Sequence, residues 1–137
     1  MTNASETTGE RHAPGEKTVL IVDDEAPARS LLRTTVRGLD IPCRILEATD
    51  GDTAVEIAHR TRPDLVLLDI VLPGSDMSGV LVCQDLCRDS RTKVVIVSGQ
   101  AGGSILNACL SAGAVEHVKK PFSVAELREK LERWLAD

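Results

Sequence analysis

The sequence of 137 residues contains no tyrosine, one phenylalanine and one tryptophan. With so few rings it offers neither a stacking platform for nucleic-acid bases nor an aromatic cage. Basic residues are also in deficit. Sixteen Lys and Arg against 21 Asp and Glu leave a formal net charge of −5, whereas a nucleic-acid binder shows a basic stripe. No apolar run approaches the ~20 residues of a membrane-spanning helix. Met1 to Glu16 lacks the apolar stretch of a signal peptide. The four cysteines, Cys43, Cys83, Cys87 and Cys109, include no C-x-x-C pair, and no histidine pair stands at finger spacing. A zinc site therefore has little support. The cysteines read instead as small buried hydrophobes in a reducing compartment, with Cys83 and Cys87 sharing one helix face. The expectation is a cytoplasmic protein with no nucleic-acid and no membrane partner.

What is present is a regular alternation. Residues 1–16 are polar and aperiodic and read as a flexible tail. From Lys17 to Asp137 the length suits one domain, and no second domain is expected. Val19 to Val22, Leu65 to Leu68 and Val94 to Val97 are short apolar runs suited to strands buried on both faces. Arg44 to Ala48 and Val115 to Val118 read as weaker strands. Helical spacing follows each strand. Ala28, Leu31, Leu32, Thr35, Val36 and Leu39 form the first apolar stripe. The second helix spans about 53–60 behind an Asp50-Gly51-Asp52 cap, and the third, over about 79–88, carries Val80, Leu81, Cys83, Leu86 and Cys87. The fourth holds Ile105, Leu106, Cys109 and Ala112 and stops at Gly113. The fifth opens on the capping box Ser123 to Glu126 and buries Val124, Leu127, Leu131 and Trp134 or Leu135. Strands joined by helical crossovers give a parallel sheet covered on both faces, an α/β doubly wound fold.

The ends of the strands carry the chemistry. Strand one ends at Asp23-Asp24, strand three at Asp69, strand four at Ser98 and strand five at Lys120. In an open parallel sheet these ends share one edge, where ligands bind. Three carboxylates gathered there repel one another and need a cation. Hard oxygen donors without a His or Cys cluster point to Mg²⁺ (or Mn²⁺). An ionised Asp69 can attack phosphorus to give an aspartyl-phosphate, with Ser98 and Lys120 binding phosphoryl oxygens.

The motifs VLIVDDE, PDLVLLDIVLPG, VVIVSG, SAGA and KPF occur in this order across residues 17–137. In that order the chain resembles the receiver domains of two-component response regulators, of the chemotaxis-regulator type. The resemblance implies a flavodoxin-like (βα)5 sheet of order 2-1-3-4-5. It implies Asp69 as phosphoacceptor and Asp23 and Asp24 as the metal-binding pair, with Asp24 favoured as the direct ligand. Asp69 itself and the backbone carbonyl of Val71 would complete the metal's protein ligands. Ser98 takes the place of the switch hydroxyl and Lys120, before Pro121, that of the phosphate-binding lysine. Val71 and Gln100, two residues after Asp69 and Ser98, would tune turnover of the phosphoryl group. The implied partners are a sensor histidine kinase or a histidine phosphotransfer protein, and a downstream protein at the face of the fourth helix, fifth strand and fifth helix. A stand-alone receiver, monomeric or weakly dimeric, is expected.

The chain departs from the family pattern at three places. His117 stands where an aromatic switch residue is usual. The loop from Pro73 to Gly79 is longer than Pro-Gly-x-x-Gly. Gly99, Gly102 and Gly103 loosen the start of the fourth helix. Two other functions compete. One is a receiver-like binding module that works without phosphorylation. The other, a phosphohydrolase, needs a second carboxylate two residues after the nucleophile; Val71 is there, so no enzyme is expected beyond phosphoryl transfer to and from Asp69. A G-x-G-x-x-G turn is missing, which disfavours a dinucleotide fold.

Overall fold

The computed structural model describes residues 15–71, 76–99 and 103–136. Among them, five strands alternate with five helices. The strands are β1 (Lys17–Val22), β2 (Cys43–Ala48), β3 (Leu65–Leu68), β4 (Lys93–Ser98) and β5 (Glu116–Lys119). The helices are α1 (Ala26–Arg37), α2 (Gly51–Thr61), α3 (Asp76–Leu86), α4 (Ser104–Ala112) and α5 (Val124–Leu135). All strand pairings are parallel and the order is β2-β1-β3-β4-β5, as the resemblance implies.

The two-residue period of the strands separates two cores. Leu20, Val22, Val66, Leu68, Val94 and Ile96 face Ala54 of α2, Val80, Cys83 and Leu86 of α3, and Leu106 and Cys109 of α4. The alternate residues Val19, Ile21, Leu65, Leu67, Val95 and Val97 face Leu32 and Val36 of α1 and Leu127, Leu131 and Leu135 of α5. Every side chain of β3 is fully buried. At about 1.5–3 kcal/mol for each large apolar side chain removed from water, this four-residue strand contributes more per residue than any cap or ion pair.

Local signals fix the helix ends. Asp50 accepts a bond from the Thr53 amide at 2.8 Å and Ser123 one from the Glu126 amide at 3.2 Å. Gly113 takes φ +126° after α4. The start of α1 has no side-chain cap but carries Pro27 in its first turn, where the missing N–H costs nothing.

Four apolar residues expected in the core are exposed: Leu31 (45%), Leu81 (59%), Val115 (48%) and Val124 (41%). At 100° per residue, Leu31 points well away from the stripe of Leu32, Thr35, Val36 and Leu39, and Leu81 lies opposite Val80, Cys83 and Leu86. Val115 precedes β5, which begins at Glu116. Val124 opens α5 at the edge where the strands beneath it end. Helix α3 starts at Asp76 and ends at Leu86, earlier at both ends than its apolar spacing suggests. Leu135 is buried and Trp134 packs beside it against the same core. Cys83 and Cys109 are buried and Cys43 and Cys87 partly so, all four as free thiols. The sulfurs of Cys83 in α3 and of Cys87, in the turn just past its end, lie 3.9 Å apart. Residues 1–14 of the proposed tail (1–16), residues 72–75 of the long loop, Gln100 and Gly102 lie outside the described residues. No described helix is long and apolar enough to cross a membrane.

Gly79 places α3 directly against the β3 exit. A Cβ built on it would lie 2.3 Å from the Ile70 carbonyl oxygen, whereas one on Gly99 would meet nothing within 4 Å. Gly79→Ala is expected to destabilise the protein by about 1–3 kcal/mol through overpacking, and Gly99→Ala to stay within about 0.5 kcal/mol. Urea unfolding midpoints of the two variants check this.

Candidate functional site

The carboxyl edge of the sheet gathers the polar strand ends. Asp23 follows β1 and continues its ladder, its amide donating to the Ala48 carbonyl at 3.1 Å. Asp69 follows β3, its amide donating to the Val22 carbonyl at 2.9 Å. The ladders therefore fix both backbones before either side chain makes a contact. Ser98 is the last residue of β4 and is fully buried. Lys120 follows β5, and its peptide bond to Pro121 is cis.

The side chains converge. The Lys120 ammonium donates to Asp23 Oδ2 at 2.7 Å and to Asp69 Oδ2 at 3.3 Å. The other oxygen of each carboxylate is held locally. Asp23 Oδ1 accepts from the Glu25 amide and Asp69 Oδ1 from the Val71 amide, each at 2.9 Å. Asp23 is 1% exposed and Asp69 8%, while Asp24 is exposed. One carboxylate oxygen from each of Asp23, Asp24 and Asp69 lies within 4.8 Å of the others. Asp24 and Asp69 line an open cleft of about 350 Å³ with Val71, Ser98 and Lys120 at its walls. A larger cleft of about 430 Å³ at the opposite edge is lined by His59, Arg62, Asp85 and Arg91 among others and holds none of them. His59 sits there on the surface, 2.7 Å from Asp85.

Three carboxylates against one ammonium leave the cleft anionic. Burial raises the Asp69 carboxyl above its ordinary range; the Val71 amide and Lys120 pull the other way without cancelling it, and Asp23 adds to the rise. For Lys120 burial is the largest single influence and lowers its affinity for the proton. The combined attraction of Asp23 and Asp69 outweighs it, so the net shift is upward. Lys120 is thus a permanent cation, and the remaining negative charge suits a divalent ion. The donors are hard oxygens with no soft ligand among them, which fits Mg²⁺. Asp23, Asp24 and Asp69 are the side chains that would hold it.

His117, in the middle of β5, reaches the same edge. Its Nε2 lies 3.2 Å from the Ser98 carbonyl oxygen, so Nε2 carries the proton, because a carbonyl only accepts. The Lys120 amide donates to the same carbonyl at 3.0 Å. Two residues at the site carried no signal in the sequence. Glu25 supplies the amide that holds Asp23. Arg29, one turn into α1, donates from Nη1 to the Asp23 carbonyl at 2.9 Å. A helical arginine after an acidic turn is too common for its position alone to have marked it.

Comparison with known proteins agrees with this geometry. Residues 19–132 match the family model described as the response regulator receiver domain. Two relatives, each called "Probable transcriptional regulator ycf27", are 35% identical over 113 residues in Guillardia theta and 34% over 115 in Porphyridium aerugineum. Each match covers 82% of this chain, and the chain spans only 43% and 45% of their length. Among solved structures, the response regulator domain of Thermotoga maritima CheB is 29% identical with a TM-score of 0.75, over 88% of this chain and 97% of that one. The receiver domain of a Pseudomonas aeruginosa sensor histidine kinase, with a magnesium ion coordinated in its active-site cleft, is 28% identical with a TM-score of 0.73, over 89% and 99%.

The raised Asp69 carboxyl has a consequence for stability. A carboxyl whose folded pKa lies above its unfolded value favours the fold below the unfolded value, and that contribution is lost as pH rises through the folded value. In metal-free buffer Asp69→Asn is therefore expected to be more stable than the parent at pH 7, with the gain shrinking as pH falls through the raised folded value and gone below about 4. Unfolding midpoints in a chelator across that range check the sign.

Proposed function

The chain belongs to the response regulator receiver family, and on that premise we propose that it accepts a phosphoryl group on Asp69 from a histidine kinase or histidine phosphotransfer protein. The observation that carries this reading is the Lys120 ammonium shared between Asp23 and Asp69, with Asp24 completing the oxygen cluster. In the transfer an Asp69 carboxylate oxygen forms a bond to phosphorus as the bond from phosphorus to the donor imidazole nitrogen breaks. The proton needed by the departing imidazole stays on the donor's side. Receiver domains bind Mg²⁺ at an acidic site, and here Asp23, Asp24, Asp69 and the Val71 carbonyl are the proposed ligands. Held by these residues, a divalent ion would supply charge neutralisation for the phosphoryl oxygens. Lys120 and the Ser98 hydroxyl bind those oxygens once they arrive.

Several features support signalling over turnover of an external substrate. Val71 offers no carboxylate to act as a general acid two residues after Asp69, and its exposed side chain (44%) stands at the mouth of the cleft. Val71 and Gln100 are proposed to set how quickly water removes the phosphoryl group. The readout is proposed at the α4–β5–α5 face, where His117 joins the Ser98 carbonyl to β5. Engagement of phosphate by Ser98 would then shift a two-state equilibrium that a downstream protein reads.

With a small acyl-phosphate donor and Mg²⁺, intact-mass spectrometry is expected to show the gain of one phosphoryl group. Asp69→Asn and an excess of chelator should each abolish it, while Ser98→Ala should gain it yet lose the accompanying shift in amide NMR signals of β5. A phosphoryl group that persists in Asp69→Asn would refute the assignment. No transfer at all to the parent chain would favour a binding module that works without phosphorylation.

A further inference from the structure

We propose that Arg29 is a positioning residue for the Asp23–Asp24 turn, held in place by Glu47, and that it sets the affinity of the acidic cleft for Mg²⁺. The metal part rests on the function proposed above; the positioning part rests on geometry alone. Arg29 grips the turn twice. Its backbone amide donates to the Glu25 carbonyl at 3.0 Å and its Nη1 to the Asp23 carbonyl at 2.9 Å. The guanidinium is fixed from the other side by Glu47 of β2, whose Oε1 lies 3.3 Å from Nε. The second Glu47 oxygen accepts from Arg33 Nη1 at 2.6 Å. The Asp23 carbonyl lies just past the last residue of β1, where the strand has ended and the helix has not begun. A charged donor from a planar guanidinium is the strongest partner available to it. The peptide linking Asp23 to Asp24 is thus tied to α1 and to β2, and both carboxylates hang from that peptide.

Arg33 separates this idea from a simple charge effect. It bears the same charge as Arg29, leaves the same helix and shares the same glutamate, but no bond joins it to Asp23. If only the ion pair with Glu47 mattered, Arg29→Ala and Arg33→Ala would behave alike. If only charge mattered, loss of Arg29 would tighten Mg²⁺ binding, because a cation beside the cleft would be gone. Positioning predicts the reverse sign, since groups that orient metal ligands typically contribute about 10–100-fold to affinity.

The experiment uses the whole chain. Mg²⁺ affinity is measured by calorimetry, and exchange of the Glu25 amide hydrogen by NMR in a chelator. Arg29→Ala is expected to weaken Mg²⁺ about tenfold and to speed Glu25 exchange several-fold. Arg33→Ala should leave both within about twofold. Arg29→Lys, which can reach one partner but not both, should fall between and serves if Arg29→Ala does not fold. An unchanged Glu25 exchange rate in these Arg29 variants overturns the proposal whatever the metal result. Equal effects of Arg29→Ala and Arg33→Ala also overturn it, as does tighter Mg²⁺ binding in Arg29→Ala. If the parent chain binds no Mg²⁺, the function proposed above fails, and the exchange comparison still decides the role of Arg29.

Discussion

Three carboxylates drawn to one edge of a sheet repel one another, and the fold is arranged around containing that repulsion. Asp23 and Asp69 are nearly sealed from water. Taking such charges out of water costs more than their attraction to a distant cation returns, unless each oxygen finds a close donor. Here each does. Two oxygens take backbone amides from their own turns, and two take the ammonium of Lys120. The sheet order makes this possible. Placing β1 beside β3 brings the three acidic groups to adjacent strand ends, and Lys120, following β5, reaches back across the end of β4 to them.

The arrangement leaves the cleft unfinished in a useful way. Lys120 offsets one charge of three, and the open side faces Asp24 and solvent. Hard oxygens with charge to spare suit a divalent ion and, behind it, the oxygens of a phosphoryl group. Much of the fold can be seen as support for this edge. Gly79 lets α3 press against the residue following Asp69, and Arg29 ties the acidic turn to α1 and β2. The Ser98 carbonyl collects the Lys120 amide and the His117 ring.

The strands and their terminal residues were legible because both signals are local. A buried parallel strand reads as an unbroken apolar run, and a carboxylate at the end of one has no comfortable structural role. Asp69 after four leucine and valine residues is the plainest case. The helices were legible in position but less so in which apolar residues they bury. Leu31 and Leu81 were counted into apolar stripes, yet their angular offset from the other stripe residues, at 100° per residue, is what turns them toward water. Arg29 and Glu25 were invisible for a related reason. Their roles lie in a side chain folding back on a carbonyl and in an amide meeting a carboxylate, and neither leaves a mark in residue spacing. The strand order came from family resemblance, because several orders satisfy the same alternation of strands and helices.

Lys120 and Asp23 touch across 97 positions of sequence. A chain is synthesised from its amino end, and domains tend to fold as units once complete. On a ribosome the paired aspartates would emerge long before the lysine that neutralises them. Until then the acidic edge has no internal cation, and the sheet lacks its last strand. A chain interrupted before β5 therefore holds Asp23, Asp24 and Asp69 without the ammonium that offsets them. The acidic edge is in this sense a property of the whole fold and not of the segments that carry its aspartates.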